Sequence, residues 1–293
     1  SFGYCGAMAP SLHPSHVHAS NPGFGPGFVG RVLDDALAHG ARIHAISGLQ
    51  GSGKSTLAAQ LASAAAERGL RLACVSIDDF YLDLDARQRL ARQVHPLLAT
   101  RGPPGTHDLA LAIDTLDALR RGVPVRLPRF DKARDRRLPM AQWPWVTRPD
   151  LVVLEGWFLA TPAEPEPALA APINTLERDE DPDGRWRRWC NRALAGDYPP
   201  LWQRIDRLLF LQPPGFEVVP DWRWQQERSL QQLSDQGPDQ GPDHRPAGMT
   251  RPQLERFVQH FERVSRQALR TLPAIADLTL RLDRDRRPVW PGE

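Results

Sequence analysis

Residues Gly48-Leu-Gln-Gly-Ser-Gly-Lys54-Ser55 match the spacing G-x-x-x-x-G-K-[ST] in full. The chemistry open to such a run is to hold phosphate. Its glycines let backbone N–H groups turn inward around phosphate oxygens, and a helix opening inside it adds favourable partial charge. Gly48, Leu49, Gln50, Gly51, Ser52, Gly53, Lys54, Ser55 and Thr56 are therefore the candidate nucleotide contacts. Lys54 would reach the β- and γ-phosphates of ATP, and the Ser55 hydroxyl would hold Mg²⁺. A glycine-rich turn can match by chance, but an apolar strand at 42–47 and a helical face of Leu57, Leu61, Ala64 and Ala65 supply the required context.

Phosphate binding alone names no reaction. Ser76-Ile-Asp78-Asp79-Phe80-Tyr81 ends a second apolar strand. In a parallel sheet that edge faces the ligand crevice. A carboxylate there can take the proton of an attacking hydroxyl or orient it. Asp78 is favoured over Asp79, whose alternative is a turn cap. Leu151-Val-Val-Leu-Glu155-Gly156 is a third buried strand ending in a carboxylate, and Glu155 is the second candidate for Mg²⁺.

Two further segments are dense in ligand-type groups. Arg101-Gly-Pro-Pro-Gly-Thr106-His107-Asp108 reads as a rigid turn leading into a helix. Pro128-Arg129-Phe130-Asp131-Lys132, followed by Arg134, Asp135, Arg136 and Arg137, is a basic loop with interleaved acids. Together they offer cations for an anionic acceptor and carboxylates for its hydroxyls. The plainer reading is a capped helix followed by a solvated charged loop. Trp222-Arg223-Trp224-Gln-Gln-Glu227-Arg228 is either a surface helix packed by tryptophans or the root of a lid. In the second case Arg223 would close over the transferring phosphoryl group.

The elements that must position these groups alternate strand and helix. Strands are expected at 42–47, 72–77, 151–154, 208–211 and 276–282. Helices follow the phosphate loop, run from Thr106 or Asp108 to Gly122, and start at the Thr250 cap with Leu254, Phe257, Val258 and Phe261 inward. This order argues for an α/β fold, a doubly wound parallel sheet with helices on both faces. Residues 31–293 form one domain in this reading. Residues 161–200, with Trp186 and Trp189, are a helical insertion, and 222–250 a mobile lid. Residues 1–30 are rich in Gly, Pro, Ser and His without periodicity or a signal-peptide core. They read as a flexible tail with Met8 as an expected start, and their His13, His16 and His18 as unengaged.

Composition narrows the class. The 293 residues are 41% hydrophobic and 25% charged, with a formal net charge of +2, which supports neither nucleic-acid nor membrane binding. No apolar run is long enough to span a bilayer. Three scattered cysteines suit a reducing cytoplasm better than a disulfide framework. Of 37 basic residues, only Lys54 and Lys132 are lysine, and both fall in the segments above. Lysine delivers a compact charge on a flexible stem where arginine delivers a planar fork. A lysine retained against so strong an arginine bias points to a site that needs the compact charge.

In order, SGLQGSGKST (47–56), SIDDFY (76–81), RGPPGTHD (101–108), LPRFDK (127–132), LVVLEGW (151–157), LQPPGFEVVPDWRWQQE (211–227) and GMT (248–250) resemble the plant-type glycerate 3-kinases and their fungal and bacterial relatives. That family sits in the P-loop group of uridine kinase, phosphoribulokinase and pantothenate kinase. The resemblance spans residues 42 to about 283. It implies ATP- and Mg²⁺-dependent phosphorylation of a hydroxyl on a small acid, D-glycerate in the named members. It places Asp78 at the catalytic-base position and Glu155 after the Walker B strand. Arg129, Lys132 and a downstream arginine fall among its acceptor-binding positions. The loop after Lys132, ARDRRL, departs from the plant pattern and leaves Arg136 and Arg137 as alternatives there. The expected site is thus Asp78, Lys54 and Arg223 for catalysis, with Arg101, His107, Asp108, Arg129, Asp131, Lys132 and Arg136 around the acceptor. Oligomeric state is not legible. Other expectations are a kinase for a nucleoside, a sugar phosphate or a pantothenate-like acid, and a P-loop ATPase switch or scaffold.

Overall fold

A computed structural model describes residues 23–235 and 248–289. The tail histidines, Met8 and the segment 236–247 of the expected lid lie outside the described residues.

The sheet consists of β1 (Ile43–Gly48), β2 (Leu72–Ser76), β3 (Leu151–Gly156), β4 (Arg207–Gln212), β5 (Leu278–Leu282) and β6 (Pro288–Val289). Their spatial order is β2-β3-β1-β4-β5-β6. The first five are parallel, and β6 returns antiparallel to β5 as an edge. Along β3, Val152 and Leu154 enter one core while Leu151 and Val153 enter the other. Along β4, Leu208 and Phe210 oppose Leu209 and Leu211 in the same way. Side chains alternate across a strand, so such continuous apolar runs require cover on both faces.

One face is covered by α1 (Pro26–Ala38) and α2 (Lys54–Glu67). The start of α1 lies within the stretch expected to be a tail, and this corrects residues 23–30 of that reading. Phe24, Phe28, Val29, Val32 and Leu33 are buried at helical spacing, a periodicity the surrounding glycines and prolines obscure. The Gln60 side chain bonds the Phe24 backbone in both directions, fixing the chain onto α2.

The opposite face carries α4 (Leu109–Arg121), which follows α3 (Leu84–Gln93), and the long α9 (Arg251–Ile275). Between β3 and β4 the chain forms α5 (Thr175–Glu180), α6 (Arg185–Gly196) and α7 (Pro199–Trp202). This insertion is tied to α9 by the buried Arg263, whose guanidinium donates to both carboxylate oxygens of Glu177 at 2.7 Å. The expected lid root is helical, α8 (Val219–Asp235), with Trp222 buried. Among the described residues no helix is long and apolar enough to cross a membrane.

Candidate active site

β1 is buried throughout, and after it the chain must reverse into α2 through the glycine-rich turn. Two glycines carry the reversal. Gly51 sits at φ +83° and Gly53 at +91°, the left-handed region that side chains resist. A Cβ on Gly51 would also lie 2.7 Å from that of Trp222. Inside the turn the Ser52 N–H donates to the Leu49 carbonyl at 3.2 Å, and Lys54 Nζ donates to the same carbonyl at 3.0 Å. Burial pulls the Lys54 ammonium below the ordinary lysine range, with Glu155 and Asp78 working against that shift.

The register Ser76↔Glu155 and Ile46↔Glu155 sets the ends of β2, β3 and β1 side by side. Ser55 Oγ consequently donates to Glu155 Oε1 at 3.1 Å. A hydroxyl and a carboxylate side by side are hard oxygen donors of the kind Mg²⁺ accepts when phosphates complete its shell.

The two aspartates after β2 part company. Asp78 lines the cleft. Its carboxylate accepts from Lys132 Nζ at 2.6 Å and from the Tyr81 hydroxyl at 2.6 Å. Burial works to raise its pKa, but the adjoining ammonium and the two hydrogen bonds hold it well below the usual carboxylate range. Asp79 turns the other way, 4% exposed, accepting from Arg129 Nη1 at 3.1 Å and the Phe130 N–H at 3.2 Å. It anchors the basic loop.

The cleft above the phosphate loop is lined on its polar side by Gln50, Asp78, Arg101, Lys132, Glu155 and Arg223. Trp157 and, from α9, Phe257, Val258 and Phe261 form an apolar wall. Both amide atoms of Gln50 and the Nε of Arg223 are buried with no protein partner. Unpaired buried polar atoms of this kind are uncommon and call for a ligand to complete them. A nucleotide with a polar acceptor fits that demand. Burial lowers the Arg223 guanidinium from its usual range, against the pull of Glu227 and Asp78.

Of the seven residues expected around the acceptor, the fold brings Arg101 and Lys132 to the cleft. The others are placed elsewhere. His107 is buried, bonded through Nδ1 to the Tyr198 hydroxyl at 2.7 Å, and burial depresses its pKa to about 4. Asp108 caps α4 by accepting from the Leu111 N–H at 3.1 Å, and pairs with Arg137 at 3.2 Å. Arg129 pairs with Asp79. Asp131 caps its own turn by accepting from the Ala133 and Arg134 N–H groups. Arg136 is exposed on a two-stranded hairpin, Phe130–Asp131 with Arg136–Arg137, while Arg137 donates to the Tyr81 carbonyl. Arg101 is aimed by Asp135, which accepts its Nη1 at 2.6 Å and pairs with the buried Arg87 at 2.7 Å.

Sequence reasoning passed over Tyr81, Trp157, Gln226, Phe257, Val258, Phe261 and Arg286 as cleft residues. For the α9 residues a signal existed: they were read as inward-facing core, and the same spacing also serves a cavity wall. For Arg286, beyond the last expected strand, there was none.

Residues 43–162 match the phosphoribulokinase / uridine kinase family. An uncharacterized kinase of Schizosaccharomyces pombe is 32% identical over 234 residues, covering 74% of this chain and 76% of its own. The chloroplastic D-glycerate 3-kinase of Arabidopsis thaliana is 29% identical over 260 residues, or 82% of this chain. Those residues make up 52% of the plant protein, so the chain spans about half its length. A solved D-glycerate 3-kinase from Cryptococcus neoformans superposes with a TM-score of 0.71 over 91% of this chain and 99% of that one. At 24% identity this is a likeness of fold.

Proposed function

This chain belongs to the phosphoribulokinase / uridine kinase family, and from that premise we propose that it transfers the γ-phosphoryl group of ATP to a hydroxyl of D-glycerate, giving 3-phosphoglycerate. The observation that carries this reading is Asp78, set between Lys132 and Tyr81 in a cleft that also holds Lys54, Arg101 and Arg223. Residues 48–56 would hold the triphosphate, with inward amides and Lys54 on the β- and γ-phosphates. Mg²⁺, held by Ser55 and Glu155, would supply charge neutralisation between those phosphates.

Asp78 accepts the proton of the attacking hydroxyl as that oxygen bonds the γ-phosphorus and the bond to the β-phosphate oxygen breaks, releasing ADP. The ion pair with Lys132 keeps Asp78 ionised but also makes it a weaker base. An acceptor carboxylate drawn to Lys132 and Arg101 competes for that ammonium and returns basicity to Asp78. Arg223 lies where charge on the transferring group can be met by a guanidinium. Tyr81 keeps its proton, since burial and the adjacent carboxylate both raise its pKa, so it orients Asp78 by donation.

A second reading rests on the apolar wall of Trp157, Phe257, Val258 and Phe261. Glycerate has no apolar portion to cover it, whereas a pantothenate-like acid does. One assay separates the two: ADP release with Mg-ATP and a panel of D-glycerate, L-glycerate, lactate, pantothenate and uridine. D-Glycerate is expected to give the highest kcat/KM. Turnover of pantothenate or uridine with glycerate inert would overturn the assignment.

A further inference from the structure

The turn joining β5 to β6 reaches back across the sheet edge to the phosphate loop. Asp283 organises it, its Oδ1 accepting from the Asp285 and Arg287 N–H groups. Arg286 occupies the left-handed region at φ +64°, an unusual place for a long side chain. That backbone sends its guanidinium over the Trp222 ring, 5.0 Å from the centroid. Nε then donates to the Gly51 carbonyl at 2.6 Å. Trp222 is held from the same turn, its Nε1 donating to the Arg284 carbonyl at 2.8 Å. Three separate parts of the chain therefore meet here: the phosphate loop, the root of α8 next to Arg223, and the C-terminal turn. Arg286 also lines the cleft.

A peptide plane carries its C=O and the next N–H in opposite directions. Fixing the Gly51 carbonyl outward therefore fixes the Ser52 N–H, which bonds the Leu49 carbonyl. That carbonyl is in turn occupied by Lys54. Both carbonyls that would otherwise repel a phosphate are thus turned onto cations. We infer that Arg286 is a positioning residue of the phosphate loop, holding it in its anion-binding form before nucleotide arrives and linking it to the helix that carries Arg223. The inference rests on the reading of 48–56 as a nucleotide site, and it assigns a role to a residue outside every motif in the sequence.

The test is calorimetric titration of MgADP into the wild-type protein, Arg286→Met and Arg286→Lys, alongside thermal melts and steady-state kinetics. Methionine keeps a stem over Trp222 but donates nothing. Loss of one charge-assisted hydrogen bond is expected to weaken MgADP binding about tenfold in Arg286→Met, with an intermediate effect in Arg286→Lys. The acceptor KM at saturating ATP should be unchanged, and millimolar methylguanidinium should restore part of the nucleotide affinity. MgADP affinity within about twofold of wild type in either variant would overturn the inference. So would a parallel loss of acceptor binding, which marks general loosening. If Arg286→Met does not fold, Arg286→Lys decides on the same measurements. A wild-type protein that binds no MgADP would instead remove the nucleotide reading itself.

Discussion

The proposed phosphate side of the cleft is one unbroken run, residues 48–56, whereas the proposed acceptor side is assembled from five places. Asp78 and Tyr81 follow β2, Arg101 opens a proline-rich turn, Lys132 sits in a hairpin, Trp157 follows β3, and Phe257, Val258 and Phe261 belong to α9. In the proposed reading the first side works largely through backbone amides, so glycine spacing makes it legible even though Arg286 fastens it from outside. The second works through side chains whose direction depends on distant packing. Neighbouring charges there have opposite fates, as Asp78 and Asp79 demonstrate.

The comparison can be broken experimentally, most severely at Asp78. Asp78→Asn should reduce kcat roughly a thousandfold while ATP binding persists. Coupled ADP release and calorimetry on the same sample would measure both, and retained turnover would remove Asp78 from the proton-accepting role. Lys54→Ala should lower kcat on the order of a hundredfold and weaken nucleotide binding as well, since it serves the continuous side. Unaltered ATP affinity and turnover would refute that assignment.

Asp79→Ala should act on folding, because it strips the part-buried Arg129 of its partner. A loss of about 3 kcal/mol is expected, seen as a midpoint several degrees lower in a thermal melt, with the ATP KM near wild type. An unchanged midpoint would show that Asp79 does not fasten the basic loop. Smallest of all is the contrast within the basic hairpin. Lys132→Ala should raise acceptor KM about tenfold, against less than about twofold for the exposed Arg136→Ala, each at saturating ATP. Equal effects would show that the hairpin acts as a diffuse field and not through one ammonium.

The parallel sheet, the strand ends and the phosphate loop were legible because each rests on local pattern: apolar runs of strand length, glycine where φ turns positive, a carboxylate closing a strand. The acceptor set was only partly legible. Arg129, Asp131, Asp108 and Arg137 are the residue types a substrate site uses, but here they bond one another or the backbone and build the loops that present Arg101 and Lys132. Charge density in a sequence does not distinguish a charge that faces a ligand from one that fastens a turn. The start of α1 was hidden for another reason. Glycine and proline dominate the composition at 23–30, yet three buried apolar residues suffice to dock it. Arg286 acts through a backbone carbonyl far away in sequence, and no spacing rule reaches that distance.

The retention of just two lysines has a practical consequence. Both ε-amino groups of this chain stand in the cleft, one on each of its two sides. Amine-selective acylation followed by intact-mass and peptide mapping therefore reads out occupancy directly. Protection of the first lysine is expected to follow the nucleotide and protection of the second the acceptor, with the 35 arginines silent throughout.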